Sequence, residues 1–442
     1  MPSPLKSSRL RRIIGAYTVN RLGTWFGFVA LSVAVFDHTH SAIAVAAFMF
    51  AAQALPAFVV PAIVARVEAS SRRRELSALY VFEAITTAGL AVLLWHFWLP
   101  AVLLLAALDG TAALAASALL RAELAKAARD QIEAQAAEEA RPSESREDRA
   151  QEAERKANAA LNVAFSATFV LGPSLAGVVV AAAGAPAALF IDVGSFLICG
   201  ALLIDLHPYV EEAGGDSVRA RLRAAWRHIN EAPSLRALLL VEVVAITFAE
   251  SAGPIQVAYS QITLHAGDRG YGLLLGTWGA GAVLGSLVFA RSLSRPLGAL
   301  LSAGTVAVGL AYVGFAASPS LVLACIAALI GGIGNGVELP SLTSIVQRLT
   351  PPHLQGRMMG AVESMTALSL AIGLPLGGAL VALSSPRVAF LVVGLGVMAA
   401  AVALLSLSRK RLEPAVEDHL PSSLPESDML APESTTAQTR VS

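Results

Sequence analysis

The sequence has 442 residues, of which 55% are hydrophobic and only 14% are charged. Because a soluble domain carries about 25% charged residues, this composition argues against a soluble globular protein and for a lipid-facing exterior. The formal net charge is zero, so the charge balance gives no support for nucleic acid or any other strongly charged partner.

The chain begins with a basic segment, Met1 to Arg12, which runs into a long apolar stretch without a small-residue cleavage site. We therefore expect a cytoplasmic lead and not a signal peptide. A helix needs about 20 mainly apolar residues to cross a bilayer. Twelve segments qualify: 13–36, 42–65, 76–97, 100–120, 160–182, 187–206, 236–262, 271–291, 297–316, 320–345, 358–383 and 387–407. Their continuous Ala, Leu and Val runs lack the alternation of a barrel, so the sequence predicts an all-α membrane protein with twelve transmembrane helices.

The basic residues of the connections predict the orientation, because Lys and Arg resist translocation. The odd-numbered connections hold only Arg269 and Arg387. The even-numbered connections hold many more: Arg66, Arg72 to Arg74, the loop 121–158, Arg219, Arg221, Arg223, Arg227, Arg291, Arg295, Arg348, Arg357 and Arg409 to Arg411. We expect both termini in the cytoplasm, and we expect a multi-pass protein of the bacterial cytoplasmic membrane.

Two segments fall outside the predicted bundle. Residues 122–157 are rich in Ala, Glu, Gln and Arg, which indicates a solvated helix broken at Arg141-Pro142-Ser143. Residues 413–442 are rich in Pro, Ser and acidic residues and lack the apolar content to fold, so we expect a disordered cytoplasmic tail. The predicted domains are a six-helix half over 1–207, a central cytoplasmic loop over 208–235, and a second six-helix half over 236–412.

An internal repeat relates the two halves at a separation of about 200 residues, as in many transporter folds. Predicted helix 5 reads LGPSLAG from Leu171, and Pro186 follows four residues before Phe190. Predicted helix 11 reads GLPLGGA, and Pro386 follows four residues before Phe390. Both copies run in the same direction, which predicts a parallel repeat of six and six helices.

The residues of helix 5 and its lead-in, ANAALNVAFSATFVLGPSLAGVVVAAAGAPAALFIDVGSFL (Ala157 to Leu197), resemble the antiporter-type Gly-Pro motif of the major facilitator superfamily. TPPHLQGRMMG (Thr350 to Gly360) is a second marker. Together they are similar to the bacterial enterobactin and macrolide exporters of that superfamily, over about Leu10 to Arg411. The resemblance implies a transporter, with no catalytic residues, no metal and no cofactor.

The loop after predicted helix 2 departs from the superfamily's pattern, which reads Gly-x-x-x-Asp-Arg-x-Gly. Here Pro61 stands in place of the glycine and Ala65 in place of the aspartate, before Arg66. The latch that the family's aspartate provides is therefore not expected here. Arg66 and Arg291 follow alanines at the ends of predicted helices 2 and 8, and they remain our candidates for a cytoplasmic gate.

In the implied fold, helices 1, 4, 7 and 10 line a central cavity. An ionisable group at membrane depth costs about 2.5–3.5 kcal/mol on insertion scales, so each such group indicates a cavity or a partner. The candidates for substrate binding or proton coupling on these helices are Arg21, Asp109, Glu250, Asn335 and Glu338.

Two of these candidates, Asp109 and Glu250, fall near the membrane midplane, where a carboxyl group can exchange protons between the two sides. For Asp109 a structural ion pair with Arg21 is an equal alternative. For Glu250 we favour function, because FAESAGP (Phe248 to Pro254) interrupts helix 7 where backbone can open to a cavity.

Small residues of helices 5 and 11 are candidates for a conformational hinge: Gly172, Pro173, Gly177 and Pro375. The alternative is that small residues only let helices pack closely. Four other charged residues receive structural interpretations. Glu83 and Asp192 lie on helices outside the implied cavity, with Asp192 bracing helices 5 and 6, while Glu242 and Glu363 reach headgroup water at the helix ends.

We expect a secondary active transporter, most simply a monomer, that exports a small amphipathic compound such as a drug or siderophore-like molecule. Protons are the expected coupling ion, the bilayer is the environment, and no phosphate-binding loop indicates direct use of ATP. Two alternatives stay open. One is an importer or lipid flippase on the same scaffold, and the other is a membrane receptor or scaffold that transports nothing. An enzyme is not expected, because no nucleophile and base pair or metal cluster is evident.

Overall fold

A computed structural model of the chain describes residues 8–60, 75–138, 144–204, 218–292, 294–351 and 354–408. These residues are helical apart from short turns, which places all backbone hydrogen bonds of the apolar segments within the helices. Arg66 and the tail 413–442 lie outside the described residues, as does the predicted helix break at 141–143.

Twelve helices of the described residues are long and apolar enough to cross a membrane, as the sequence predicts. We number them in chain order: α1 Ser8–Thr39, α2 Ala42–Val60, α3 Leu76–His96, α4 Leu99–Glu138, α5 Glu144–Ala183, α6 Ala185–Leu202, α7 Pro233–Thr263, α8 Gly267–Arg291, α9 Leu297–Ala317, α10 Leu321–Arg348, α11 Gln355–Leu383 and α12 Pro386–Leu407. The spanning parts of α4 and α5 are Leu99–Leu124 and Ala159–Ala183, so both helices extend well beyond the apolar region. The described parts of the segment 122–157, residues 122–138 and 144–157, are thus helical.

Short polar residues begin several of the helices. The side chains of Ser41, Ser320 and Ser385 each accept a hydrogen bond from a backbone N–H in the first turn of α2, α10 and α12. Such caps satisfy N–H groups that have no partner within the helix. Pro186 and Pro386 lie in the first turns of α6 and α12, where a missing N–H costs nothing. The turns therefore follow directly from local sequence.

The central segment 208–235 is not a plain loop. It contains an amphipathic helix, Val218–Glu231, which we call the linker helix. Ala225 and Ile229 are buried against α7, α9, α10 and α11, and the imidazole of His228 lies 3.2 Å from the carbonyl oxygen of Leu349. Apolar residues at helical spacing form a stripe on one face of the linker helix. This stripe packs against the second half and holds the linker helix to it.

Among the described residues, the buried apolar side chains that join the two halves lie at one end of the bundle. We call the end where α1 begins and α12 ends the terminal face, and the other end the opposite face. Of four clusters of buried apolar side chains in the described residues, one combines both halves: it joins Val29 to Phe36 of α1 with Val257, Tyr271 and Leu374. The clusters near the terminal face belong to one half each. The structure is therefore closed between the halves at the opposite face.

Glycines bring α5 and α8 into close contact at this closure. A Cβ added at Gly177 would lie 3.0 Å from the Cα of Gly272, and one added at Gly276 would lie 2.9 Å from the carbonyl oxygen of Val170. A Cβ at Gly272 would collide with the carbonyl oxygen of Pro173. Only glycine permits backbones to approach this closely. We call this contact the α5–α8 seam.

Candidate functional site

A cavity of about 500 Å³ lies inside the first half of the bundle. Its wall follows α4 from Ala106 to Arg121, which is 15 residues or about 22 Å along a helix, toward the terminal face. A volume of this order accommodates a drug-sized molecule. The lining comes from α1, α2, α3, α4 and α6, with Leu370 of α11. Among the described residues, α7 and α10 contribute nothing to this lining, although the resemblance implied that they would.

Arg21 of α1 is the cation at membrane depth in this cavity. Its guanidinium carbon lies 5.2 Å from the centre of the Phe165 ring, an arrangement typical of a cation–π contact. Its Nε atom is buried and has no hydrogen-bond partner in the described part of the chain. A positive group with so little compensation is costly to bury, which makes Arg21 the least satisfied side chain of the wall.

Aromatic rings of α1 and α5 pack together next to Arg21. Phe165 stacks on Phe169 with ring centres 5.8 Å apart, and Phe169 lies 5.3 Å from Trp25. Trp25 in turn meets Phe28 edge to face at 6.0 Å. A Cβ at Gly172 would lie only 2.5 Å from the Trp25 ring, so this glycine leaves the space that the indole fills. The wall is therefore apolar, aromatic and held in place by packing.

Asp109 of α4 lines the same cavity. Its carboxylate accepts hydrogen bonds from the hydroxyls of Thr86 at 2.7 Å and Thr87 at 3.0 Å, both on α3. It forms no ion pair with Arg21, the alternative that the sequence left open. The next residue, Gly110, packs against the backbone of Ala52 in a π-helical stretch of α2, and such stretches often occur at functional sites.

Asp192 of α6 also lines the cavity, so the prediction that it lies outside is wrong. It accepts a hydrogen bond from Ser195 at 3.2 Å and lies against Gly23 and Gly27 of α1. The Gly23-x-x-x-Gly27 spacing removes side chains from one face of α1, and this sequence signal would have placed a partner there. Glu83 of α3 is buried, and neither of its carboxylate oxygens has a hydrogen-bond partner in the part of the chain that the structure describes. It lies within electrostatic range of both aspartates.

The second half holds a related set of carboxyl groups. Glu338 of α10 is buried and accepts a hydrogen bond from Thr305 of α9 at 2.9 Å. Glu242 of α7 is 2% exposed, lies within electrostatic range of Glu338, and has no hydrogen bond in the described residues. The prediction that Glu242 reaches headgroup water is therefore wrong, because its side chain points into the half and not along the helix end. Glu363, by contrast, is exposed.

Glu250 lies at the predicted interruption of α7. The α-helix ends at Glu250 and restarts at Ala252, with Ser251 between them. The side chain is half-buried and has no hydrogen bond or ion pair among the described residues. The Tyr312 hydroxyl, which donates to the carbonyl oxygen of Ala249 at 3.3 Å, is a near neighbour. Asn335 of α10 is half-buried as well.

The remaining candidates are spread over different environments. Pro173 and Gly177 lie at the α5–α8 seam, whereas Gly172 faces Trp25 within its own half. Pro375 is exposed on α11, and Arg291 is exposed at the end of α8. The sequence predicted that these residues lie on helices, but it did not distinguish the residues at the α5–α8 seam from those near the cavity wall.

Comparisons with known proteins agree with this architecture. Residues 238–434 match the model of the Major Facilitator Superfamily. The multidrug efflux pump Tap of Mycolicibacterium fortuitum is 26% identical over 275 residues, which cover 58% of this chain and 64% of that protein. The uncharacterized MFS-type transporter YfiS of Bacillus subtilis (strain 168) is 23% identical over 236 residues, 51% of this chain and 57% of that protein. The chain thus spans less than two thirds of the length of these curated relatives.

A solved structure extends the likeness to the whole fold. The crystal structure of the nucleoside transporter NupG superposes with a TM-score of 0.71, covering 91% of this chain and 99% of that chain at 12% identity. This likeness concerns the fold, with its two six-helix halves, and not the ligand. The match of residues 238–434 to the family model covers less than half of the chain, and it shows that this part is similar to the Major Facilitator Superfamily.

Proposed function

We propose that this protein is a secondary active transporter that exports a small amphipathic compound by alternating access, with protons as the coupling ion. The observation that carries the proposal is the cavity of about 500 Å³ at membrane depth, which combines aromatic walls with Arg21, Asp109 and Asp192. Intramembrane charges that face a cavity mark solute or ion pathways. The similarity to a multidrug efflux pump of Mycolicibacterium fortuitum favours export of a drug-like compound.

Alternating access is supported by how the halves meet. They share one apolar cluster at the opposite face, and each has its own cluster at the terminal face. A rocking motion about the α5–α8 seam would exchange these contacts, with Pro173, Gly177 and Gly272 as pivots, because the two glycines have no side chain where Gly272 meets the carbonyl oxygen of Pro173.

Proton coupling is supported by carboxyl groups that have no cationic partner among the described residues. Asp109 meets only threonine hydroxyls, and Glu250 meets no hydrogen-bond donor. A buried carboxylate needs water or a donor to keep its charge. Its protonation would therefore change as the cavity opens to one side and then to the other.

We further propose that the protein is a monomer in the bacterial cytoplasmic membrane with both termini in the cytoplasm. In this orientation the structure is open toward the cytoplasm.

Single reporter cysteines test the proposed orientation. A membrane-impermeant maleimide applied to intact cells is expected to label His96→Cys, at the exposed turn between α3 and α4, and to spare Arg223→Cys on the linker helix. The unmodified chain is the control, because Cys199 is buried and Cys325 is half-buried. If Arg223→Cys were labelled and His96→Cys were spared, the topology would be the opposite of the one proposed.

The transport proposal is tested in a host that lacks its own drug pumps. A panel of amphipathic compounds is measured for accumulation with and without the protein, and compounds that are excluded are then assayed in proteoliposomes with an imposed pH gradient. We expect gradient-driven movement of at least one compound. Uptake in place of exclusion would favour the importer or flippase. No movement of any compound by monodisperse protein would favour the receptor or scaffold.

A further inference from the structure

From the wall of the cavity we infer that the bound compound is an aromatic organic anion, whose negative group meets the Arg21 guanidinium and whose flat apolar body lies against Trp25 and Phe28. The inference deepens the proposed function and rests on it only in taking the bound compound as the transported one.

The polar groups of the wall differ in what they still need. Asp109 accepts hydrogen bonds from the hydroxyls of Thr86 and Thr87, and Asp192 accepts one from Ser195. Arg21 has only the face of Phe165, and in the described part of the chain it makes no hydrogen bond or ion pair. A guanidinium carries five N–H donors in a planar fork. The unfilled capacity of the cavity is therefore that of a donor with positive charge, and a carboxylate or sulfonate is its complement.

The apolar part of the wall selects a flat body. Trp25, Phe28 and Phe48 line the cavity together with Leu31 and Leu370. Phe28 and Phe48 lie 6.5 Å apart, and Trp25 packs against Phe169 and Gly172 of α5. A planar ring system gains contact with such a wall without reordering it, because the rings are already fixed by their neighbours.

A second cation lies toward the mouth of the cavity. Arg121 lines it near the end of the spanning part of α4, toward the terminal face, is exposed, and interacts electrostatically with Arg21. Two arginines along one path favour the entry of an anion and oppose that of a cation. Asp109 and Asp192 act in the other direction, but both already accept hydrogen bonds from neighbouring hydroxyls, so the two arginines decide the sign of the preferred ligand.

Three probes of equal shape separate charge from stacking: naphthalene-2-carboxylate, naphthalene-2-carboxamide and 2-naphthylmethylammonium. Binding to the purified full-length protein in nanodiscs is measured by calorimetry. We expect the carboxylate to bind at least about tenfold more tightly than the carboxamide, and the ammonium to bind most weakly. A charge-assisted hydrogen bond at a partly desolvated site accounts for a difference of this size. Arg21→Gln is expected to weaken the carboxylate about 10- to 100-fold and the carboxamide less than about threefold.

Two further variants make the result specific. Arg223→Gln removes the same charge from an exposed position of the linker helix and is expected to leave all three affinities unchanged. Arg21→Lys keeps the charge but loses the fork, so it should retain a reduced preference for the carboxylate. This variant also replaces Arg21→Gln as the test if the glutamine variant is not monodisperse.

An equal or stronger affinity for the ammonium, or a carboxylate preference that survives Arg21→Gln, would overturn the inference. The inference would also be overturned if none of the three probes bound. These results are distinct from failure of the transport proposal. If the probes bind as expected but no compound moves in proteoliposomes, the binding site stands and the transporter does not. If compounds are exported but the preference for the carboxylate does not depend on Arg21, the transport proposal stands and the inference about the bound anion does not.

Discussion

Replacing Glu250 with glutamine is expected to abolish accumulation driven by a pH gradient, with a loss of about tenfold or more, while exchange of labelled for unlabelled compound continues. The amide cannot take up or release a proton, so a coupled cycle cannot complete. Exchange needs only movement of the loaded carrier and no net proton transfer. The measurement is a pair of proteoliposome assays on the same preparation, one with a gradient and one with compound on both sides. A tenfold loss corresponds to about 1.4 kcal/mol.

Two matched variants control this experiment. Glu363→Gln makes the same chemical change at an exposed position of α11 and should leave both assays unaltered. Asp109→Asn tests the other midplane carboxyl group. The amide oxygen of this variant can still accept the hydrogen bonds that the two threonine hydroxyls donate. If Glu250→Gln transports at the normal rate at every pH, Glu250 has no part in coupling. If Asp109→Asn alone loses the gradient response, the coupling site belongs to the first half.

Replacing Gly272 with valine at the α5–α8 seam is expected to lower transport about tenfold or more and to destabilise the folded protein by about 1–3 kcal/mol, the usual range for overpacking. The new side chain would collide with the carbonyl oxygen of Pro173 and lie within about 3 Å of the backbone of Gly177. The halves would then be held apart at the opposite face. Transport rate and the thermal unfolding midpoint in detergent are the two measurements.

Gly194→Val is the matched control, because Gly194 lies inside α6 and a Cβ there meets nothing within 4 Å. Both substitutions change the helix propensity of a glycine position in the same way, so a difference between them reports the contact and not the helix. Normal transport by Gly272→Val would show that the seam tolerates separation, and the pivot would then have to lie elsewhere.

The two halves place carboxyl groups in comparable ways. Asp109 of α4 accepts from Thr86 of α3, and Glu338 of α10 accepts from Thr305 of α9, so the fourth helix of each half bonds to the third. The surroundings differ. Asp109 lines the cavity, whereas Glu338 is buried close to Glu242 within its own half. The repeat therefore preserves a helix contact, while the carboxyl group of the first half lines the cavity and that of the second half does not line it.

The same divergence is visible at the repeat that the sequence reveals. Phe190 and Phe390 each follow a proline by four residues. Phe390 is fully buried among Tyr259, Tyr312 and Phe315, whereas Phe190 is 45% exposed on the outside of the bundle. Equal spacing predicts an equal position on a helix, but burial depends on which helix lies opposite.

Composition and apolar segment length by themselves determined that the chain is an all-α bundle with twelve spans, because lipid offers a backbone no partner other than its own helix. The positions of Arg21, Asp109 and Glu250 at membrane depth followed from residue counts along those spans. The interruption of α7 followed from its Ser, Gly and Pro.

Only the tertiary structure decided which of these groups meet. Asp109 bonds to Thr86 and not to Arg21, Asp192 lies on the cavity wall, and Glu242 is buried beside Glu338. Each of these depends on the rotation of one helix about its axis against a neighbour that is distant in sequence. In lipid, apolar faces of a helix carry no pattern that reveals this rotation, since hydrocarbon and helix interior are equally apolar.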